Sequence, residues 1–270
     1  MPGGSGHDAV YAVPVGPHPP LSLTLREPAF DDLDTLRHHR KQRAALAYRL
    51  FGSYGWGEQG DGHISARDPQ RLDCFWLLRY GVPFSRATIG DLVLVGPGGE
   101  VVDGHPAREI NIAAFNIHWP IHEARPDVVC VAHTHTPYGT PWSANAEEFQ
   151  QIAQEATAFL DRQSVYQGTD LNVSTPAGGE RIAAALGDGR LVIMRNHGLL
   201  TVGETVDEAV GWFIMAERVA EVHVKAHRPQ PISDVDALAS AASIAASETG
   251  WSTFNWAIRA RVADPTVVDC

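Results

Sequence analysis

Two histidines separated by one residue, His133 and His135, stand at the end of an apolar run over residues 128–132. The run has the composition of a buried strand, and side chains two residues apart on a strand point the same way. Two imidazoles side by side at a strand end can bind one metal ion. The His-X-His spacing alone is equally compatible with a pair of ordinary histidines at a strand end.

A second stretch, residues 191–203, repeats this design and supplies a third imidazole, that of His197. Here a buried apolar strand is followed by Asn-His-Gly and then by another apolar run. Three neutral imidazoles around one divalent metal leave a position open for water or substrate, which is typical of catalytic sites. A closed structural site needs a fourth ligand, usually cysteine, and no cysteine has suitable spacing. The sequence therefore predicts a metal site formed by His133, His135 and His197.

Three further histidines lie in segments that could border such a site. His63 belongs to a glycine-rich stretch, residues 57–69, whose backbone we expect to come close to a ligand or simply to turn into a strand over 63–67. His118 and His122 are four residues apart in a predicted helix over residues 110–124 and share one helix face. Because the glutamate of an HExxH motif is missing, packing in a core or pocket is favoured over metal binding there.

Composition and charge exclude several function classes. The chain has 270 residues, of which 44% are hydrophobic and 20% charged, as in ordinary globular proteins. A net charge of −11 argues against nucleic-acid and anionic-membrane partners. No apolar run reaches the roughly 20 residues of a membrane span, and no secretory signal is recognisable. Three widely spaced cysteines indicate a reducing, cytoplasmic setting without disulfides.

Hydrophobic periodicity and turn residues divide the chain into three parts. Residues 1–25 form a flexible leader rich in glycine and proline, residues 26–228 the metal-binding domain, and residues 229–270 a helical and aromatic tail. We expect the tail to pack on the domain or on a neighbouring subunit. Beyond the strands at the histidines, the predicted elements are a hairpin over 91–104, helices over 30–51, 145–160, 178–187 and 205–226, and a tail helix over 237–247.

Four separated segments, GHISARDP, HEARPDV, HTHTPYG and NHGLLTVG, occur in an order that resembles the class II aldolase/adducin family. The resemblance covers roughly residues 30–228. It implies an α/β fold with three α/β/α layers around a central, mostly antiparallel sheet, and a homotetramer. In the aldolases of that family three histidines hold zinc, and His133, His135 and His197 match those ligands.

Other positions depart from the aldolase pattern. The catalytic glutamate of the sugar-phosphate aldolases corresponds to Ala114, and the two serines before it to Ile112 and Ala113. The phosphate-binding Ser-Gly-Asn loop reads Asp61-Gly62-His63. Carbon–carbon cleavage needs a general acid or base, and a phosphate pocket needs donors or positive charge. We therefore do not expect cleavage of a phosphorylated sugar, and the acid/base residue is left unassigned.

Within the family, the apolar replacements and the aromatic tail resemble the iron-dependent oxygenases of aminocoumarin antibiotic pathways, those of novobiocin and clorobiocin. Those enzymes convert a prenylated 4-hydroxyphenylpyruvate, through the mandelate, to a prenylated 4-hydroxybenzoate. The resemblance implies Fe(II), an aromatic 2-oxo acid and O₂ as partners. It also implies two sets of residues around the substrate. The prenyl-aryl group would contact Ile112, Ala113, Ala114 and Trp142, and its carboxylate or phenol would be hydrogen-bonded by His63 and His118.

Two alternatives are open at this point. Imidazole ligands suit zinc as well as iron, and the usual iron oxygenase has a carboxylate in place of one histidine. A zinc-dependent retro-aldol lyase acting on a non-phosphorylated substrate is therefore the second interpretation. The third is a non-catalytic, adducin-like scaffold. Retention of all three histidines argues against the scaffold, which has no need of metal ligands.

Overall fold

A computed structural model describes residues 27–106 and 109–269 of the chain. The predicted leader, residues 1–25, lies outside the described residues. One sheet contains all eight described strands in the order β4-β3-β2-β1-β5-β8-β7-β6, and only β6 and β7 pair in parallel. The strands are β1 (Gly62–Arg67), β2 (Phe75–Leu78), β3 (Leu92–Val95), β4 (Val101–Gly104), β5 (Cys130–Thr134), β6 (Gln163–Tyr166), β7 (Leu191–Met194) and β8 (Gly198–Gly203).

Seven described α-helices cover the two faces of this sheet. They are α1 (Leu33–Ser53), α2 (Ile112–Ala124), α3 (Gly139–Ser143), α4 (Pro176–Leu186), α5 (Val206–Lys225), α6 (Asp234–Ile244) and α7 (Ser247–Arg261). Helices α1, α5 and α7 contribute to one hydrophobic cluster, and α2 and α4 contribute to another on the opposite face. The prediction of a three-layer α/β/α fold with a mostly antiparallel sheet is confirmed.

Strand β5 shows how the sequence assigns side chains to these two faces. Cys130 and Ala132 belong to the cluster with α1 and α5, whereas Val131 belongs to the cluster with α2 and α4. Because side chains alternate along a strand, His133 shares the face of Val131. The strand pairs antiparallel with β1 on one side and with β8 on the other. The histidine at its end therefore lies at the centre of the sheet, with a strand on each side.

The helix predicted over residues 145–160 is wrong. The structure has the short α3 before this segment, a loop, and a 3₁₀ turn over Gln154–Phe159. The loop is held by tertiary contacts, since the backbone N–H and C=O of Phe149 both bond to the amide of Gln163 at 2.9 Å. Phe149 is also buried, and Ala146 has a positive φ of 53° that no helix continues. Long-range hydrogen bonds and burial thus override the local helical pattern.

The C-terminal segment packs on α5 of the same chain. The predicted tail helix corresponds to α6, while the late aromatic residues lie on α7, which the sequence analysis did not predict as a helix. Trp251 and Phe254 are buried, whereas Trp256 is 49% exposed. The boundaries drawn at residues 25 and 228 remain a prediction. Of the helices in the described ranges, none is both long enough and apolar enough to cross a bilayer.

Candidate metal centre

Strands β1, β5 and β8 position the first histidine and its neighbours. His133 pairs with His63 of β1 and with Leu200 of β8. The His133 ring is further fixed because its Nδ1 lies 2.7 Å from the carbonyl oxygen of Leu199. A carbonyl can only accept, so Nδ1 carries the proton and Nε2 keeps its lone pair. The nitrogen that His133 could offer to a metal is therefore defined by the β5–β8 pair.

The two other histidines of the predicted site lie just after the ends of strands. His135 follows β5, and its backbone N–H donates to the carbonyl of Asp61 at 3.0 Å. His197 lies in the tight turn between β7 and β8, where its N–H donates to Met194 O at 3.0 Å. Asn196 takes up the left-handed conformation that this turn requires, with φ of 56°, and asparagine is among the residues that tolerate it best.

The structure brings His133, His135 and His197 into one group. One ring nitrogen of each lies within 4.8 Å of the others. The ring centroids are 4.8 Å apart for His133 and His197, and 5.0 Å apart for His135 and His197. His133 is buried, whereas the other two are partly accessible. The group is thus open on one side, as a site that receives a substrate must be.

The chemistry of these donors fits a divalent metal. Three imidazoles whose ring nitrogens lie within 4.8 Å of one another could hold one metal ion. Burial and the neighbouring histidines hold the pKa of His133 well below its usual value, and burial lowers that of His197 to about 4. Both rings are therefore neutral at neutral pH, which is the form that binds metal. Within the described ranges, the group contains three imidazoles and no carboxylate or thiol.

A second row of histidines runs behind this group, between β1 and α2. His63 lies beside His133, with ring centroids 4.9 Å apart, and its Nδ1 is 2.6 Å from Nε2 of His118. The Nδ1 of His118 is 2.7 Å from Ser65 Oγ, which in turn is 2.8 Å from His122 Nε2. Both nitrogens of the fully buried His118 are therefore engaged within the protein. The structure places His63, and not His118, next to the metal group.

The apolar positions predicted to surround a substrate have different environments. Ala114 is fully buried in a cluster with Phe75 and Phe115. Ile112, at the start of α2, is 60% exposed, and Ala113 is half-buried. Of these three residues, only Ile112 and Ala113 therefore present surface to a ligand.

Trp142 is not brought to the histidine group. Its ring packs against Phe149 and His223, at centroid distances of 5.9 Å and 4.6 Å. Its indole N–H donates to the carbonyl of Glu147 at 3.2 Å. These contacts belong to the core on the α5 side of the sheet, so they explain Trp142 as a packing residue.

One carboxylate that the sequence analysis did not assign to the site is Asp61. Its Oδ2 lies 4.0 Å from Nδ1 of His135, and its Oδ1 is buried with no hydrogen-bond partner among the described residues. The Asp61 carbonyl also accepts from the Thr134 hydroxyl at 3.0 Å. A carboxylate next to a ligating imidazole orients the ring and raises its basicity. The sequence signal for this role of Asp61 was the departure of Asp61-Gly62-His63 from the Ser-Gly-Asn loop of the aldolases.

A second carboxylate, Glu217 of α5, secures the loop that follows His135. It accepts from Thr136 Oγ1 at 2.6 Å, from Gly139 N at 2.7 Å and from Tyr138 N at 3.0 Å. Burial raises the pKa of Glu217 above its usual value, and the three donors oppose that shift. The loop after His135 is thereby tied to α5. A charged residue on an otherwise apolar helix face was the only sequence signal for this role.

Comparison with known proteins gives a family match and several similar proteins. Residues 42–224 match the family described as "Class II Aldolase and Adducin N-terminal domain". "Decarboxylase NovR" of Streptomyces niveus is 36% identical over 84% of this chain and 85% of its own length. "4-hydroxy-3-prenylphenylpyruvate oxygenase/4-hydroxy-3-prenylbenzoate synthase" of Streptomyces roseochromogenus subsp. oscitans is 37% identical, over 84% and 83% respectively.

A solved structure shares the architecture closely. "L-fuculose 1-phosphate aldolase from Glaciozyma antarctica PI12" superposes with a TM-score of 0.81 and is 31% identical. The match covers 87% of this chain and 93% of that one. The two proteins therefore share a fold.

Proposed function

The chain belongs to the class II aldolase and adducin family, and on that premise we propose that it is a metal-dependent enzyme that cleaves a carbon–carbon bond of a 2-oxo or 2-hydroxy acid. The reaction that we favour is the oxidative decarboxylation of a prenylated 4-hydroxyphenylpyruvate by O₂, with Fe(II) as the metal. The observation that carries the proposal is the group of His133, His135 and His197, open on one side and retained where Ala114 replaces the aldolase glutamate.

The proposed reaction consists of two balanced steps. The 2-oxo acid and one O₂ give the aryl 2-hydroxy acid, a mandelate, and one CO₂. The mandelate and a second O₂ give the aryl carboxylic acid, one CO₂ and one water. Bound Fe(II) supplies the one-electron chemistry that O₂ requires. Neither step needs the enzyme to protonate a leaving carbanion, so the absence of an acid/base residue at position 114 is no obstacle.

The residues of the chain have defined tasks in this proposal. Leu199 O orients the His133 ring, and Asp61 stands beside His135. His63 lies next to the ligand group, where it can contact a polar group of the substrate. The exposed side chain of Ile112 offers apolar surface for the prenyl-aryl part. The names of the two Streptomyces relatives, similar over more than four fifths of this chain, support the choice of substrate.

The test is O₂ uptake by protein that has been stripped with chelator and reloaded anaerobically with Fe(II) or Zn(II). We expect uptake and CO₂ release from prenylated 4-hydroxyphenylpyruvate only with iron, at two O₂ per benzoate formed. Absence of uptake with either metal would reject this substrate and reaction. His135→Ala protein given the same amount of Fe(II) is the control for uncatalysed oxidation of iron.

A zinc-dependent lyase is the second candidate, and the likeness to the Glaciozyma antarctica aldolase favours it. Zinc on three histidines supplies Lewis acidity for retro-aldol cleavage. The substrate would be non-phosphorylated, because Ile112, Ala113 and His63 replace the phosphate-binding residues of the aldolases. Aldehyde release from hydroxy-oxo acids by the zinc-loaded protein, without O₂ uptake by the iron-loaded protein, would decide for the lyase.

The assembly state belongs to the same proposal. Proteins with this fold are commonly oligomeric, and a homotetramer is our working assembly. Light scattering of the purified protein measures it directly. A stable monomer that turns over substrate would contradict the homotetramer and leave the proposed three-histidine metal site unaffected.

A further inference from the structure

Four polar side chains form a continuous buried row between β1 and α2. The row consists of His63, Ser65, His118 and His122, each at most 4% exposed. Successive partners are 2.6, 2.7 and 2.8 Å apart. Burying three imidazoles between a helix and a sheet is costly unless every polar atom is paired. Apolar side chains would stabilise the same contact, so the row calls for a functional explanation.

The direction of the hydrogen bonds is set at one end of the row. His122 Nδ1 lies 3.3 Å from the carbonyl oxygen of Val128, which can only accept, so Nδ1 must carry a proton. Burial lowers the pKa of His122 to about 3, so the ring is neutral and its Nε2 has a lone pair. The Ser65 hydroxyl, 2.8 Å away, therefore donates to His122. This leaves the Ser65 oxygen free to act as an acceptor.

The directions of the remaining hydrogen bonds, from Ser65 to His63, follow in the same way. The Ser65 oxygen accepts from Nδ1 of His118, so Nε2 of the neutral His118 ring is an acceptor as well. His63 must then donate its Nδ1 proton to His118. Each donor in the row has one acceptor, and no alternative pattern satisfies both the Val128 carbonyl and all neutral rings. The nitrogen left over is Nε2 of His63.

His63 is also the member of the row that reaches the ligand group. Its ring lies beside that of His133, on the adjacent strand. His63 also lines a separate cavity of about 30 Å³, together with Gly62, Tyr48 and Asn111, and none of the three candidate ligand histidines lines that cavity. Within the described part of the chain, no hydrogen bond uses its Nε2. A molecule bound at the histidine group that reaches Nε2 of His63 would therefore meet an acceptor, and not a donor.

We propose that Ser65, His118 and His122 are positioning residues that fix His63 as the Nδ1-protonated tautomer, so that its Nε2 accepts a hydrogen bond from the hydroxyl of a bound 2-hydroxy acid. The ligand part of this inference rests on the proposed function, whereas the tautomer part does not. It gives the site a preference for the hydroxy acid over the oxo acid with the same carbon skeleton. Such a preference holds the hydroxy acid at the site between two successive decarboxylations.

The tautomer is tested by long-range ¹H–¹⁵N spectra of histidine-labelled protein, which distinguish protonated from unprotonated ring nitrogens. We expect His63, His118 and His122 to be protonated on Nδ1 alone, in the metal-free and in the zinc-loaded protein. Ser65→Ala should shift His63 to a mixture of tautomers, and Ser65→Thr, which restores a hydroxyl, should return the original spectrum. Protonation of His63 on Nε2 in the wild-type protein would overturn the inference without any variant.

The ligand preference is tested by calorimetry of the zinc-loaded protein with two probes, 4-hydroxymandelate and 4-hydroxyphenylglyoxylate, which differ only in hydroxyl against oxo. Ser65→Ala should weaken binding of the mandelate by about two- to fivefold, because only the Nδ1-protonated fraction of His63 then accepts the hydrogen bond, and should leave the glyoxylate unchanged. Thr201→Val is the matched control, because it removes another buried hydroxyl, which donates to Ala209 O at 2.7 Å. Equal losses for both probes would refute the preference.

Failure of the proposed function and failure of the inference about His63 are distinguishable. If the wild-type protein takes up no zinc and binds neither probe, the proposed function fails, while the nitrogen spectra still decide the tautomer. If both probes bind equally well to the wild type and to Ser65→Ala, the metal site stands and the role of the His63 row is refuted.

Discussion

At the scale of single residues, the candidate ligands depend on neighbours that fix the ring of His133 and the backbone around His135. His133 is fixed by Leu199 O, while His135 is followed by the loop that Glu217 secures. The grouping of the three histidines was predictable, because the alternation of a strand places His133 and His135 together and the Asn-His-Gly turn offers a third ring. Asp61 and Glu217 were not, since tertiary contacts alone bring them to the site.

Asp61 is expected to strengthen metal binding through His135. Asp61→Asn keeps the shape of the side chain but removes the negative charge 4.0 Å from Nδ1 of His135. Loss of such a partner typically weakens metal affinity by about tenfold or more. Competition with a chelating dye measures the zinc affinity of both proteins. Asp188→Asn, at a side chain that is 98% exposed, is the charge-matched control, and equal affinities for wild type and Asp61→Asn would contradict the role.

Glu217 is expected to stabilise the fold through the loop after His135. In Glu217→Gln an amide NH₂ replaces one acceptor oxygen, so at least one of the donors from Thr136, Tyr138 and Gly139 is left unpaired. An unpaired buried donor costs about 1–3 kcal/mol. Urea unfolding of the metal-free protein provides the measurement. Glu180→Gln, at an exposed position of α4, should have little effect, and equal stability of both variants would show that the contacts are dispensable.

At the scale of elements, the predictable parts are those in which local pattern and tertiary environment agree. The apolar runs at β5, β7 and β8 and the long α5 were visible in the sequence, and Thr205 caps α5 by accepting from Glu208 N. The segment 145–160 failed because Phe149 is held by Gln163 in a loop. Helix α7 was not predicted, although Phe254 and Ile258 have helical spacing.

Contact between α5 and α7 depends on two glycines that face each other. A Cβ added to Gly211 would lie 1.7 Å from the carbonyl oxygen of Gly250, so the helices cannot keep their separation. Gly211→Ala should destabilise the protein by about 1–3 kcal/mol and increase the solvent exposure of Trp251. Urea unfolding and tryptophan fluorescence report the two effects. Val224→Ala, at an exposed position of the same helix, is the control, and a Gly211→Ala protein as stable as wild type would refute this packing.

At the scale of the whole molecule, buried neutral histidines couple folding to pH. The pKa of His122 is lowered to about 3, mainly by burial, whereas the unfolded chain has a value near 6.5. Between these values the unfolded state binds more protons, so stability is greatest above about pH 6.5 and declines as the pH falls. At pH 5 His122 alone should account for a loss of about 2 kcal/mol.

Urea unfolding of the metal-free protein between about pH 7 and about pH 5 tests this linkage. We expect the midpoint to decrease steadily over the interval. In His122→Phe the slope with pH should be shallower, because the group that takes up the proton on unfolding is gone. A stability that is constant or rises as the pH falls would contradict the neutral, buried state of His122.

The central claim is that one divalent metal is held by His133, His135 and His197. The most direct test is the metal content of protein reloaded with Fe(II) or Zn(II) and freed of excess ion, in wild type, His135→Ala and the control His38→Ala. We predict one metal ion per chain in the wild type and in the control, whose histidine is exposed. His135→Ala should retain little metal and lose turnover with it. Full metal content and normal turnover in His135→Ala would contradict the account.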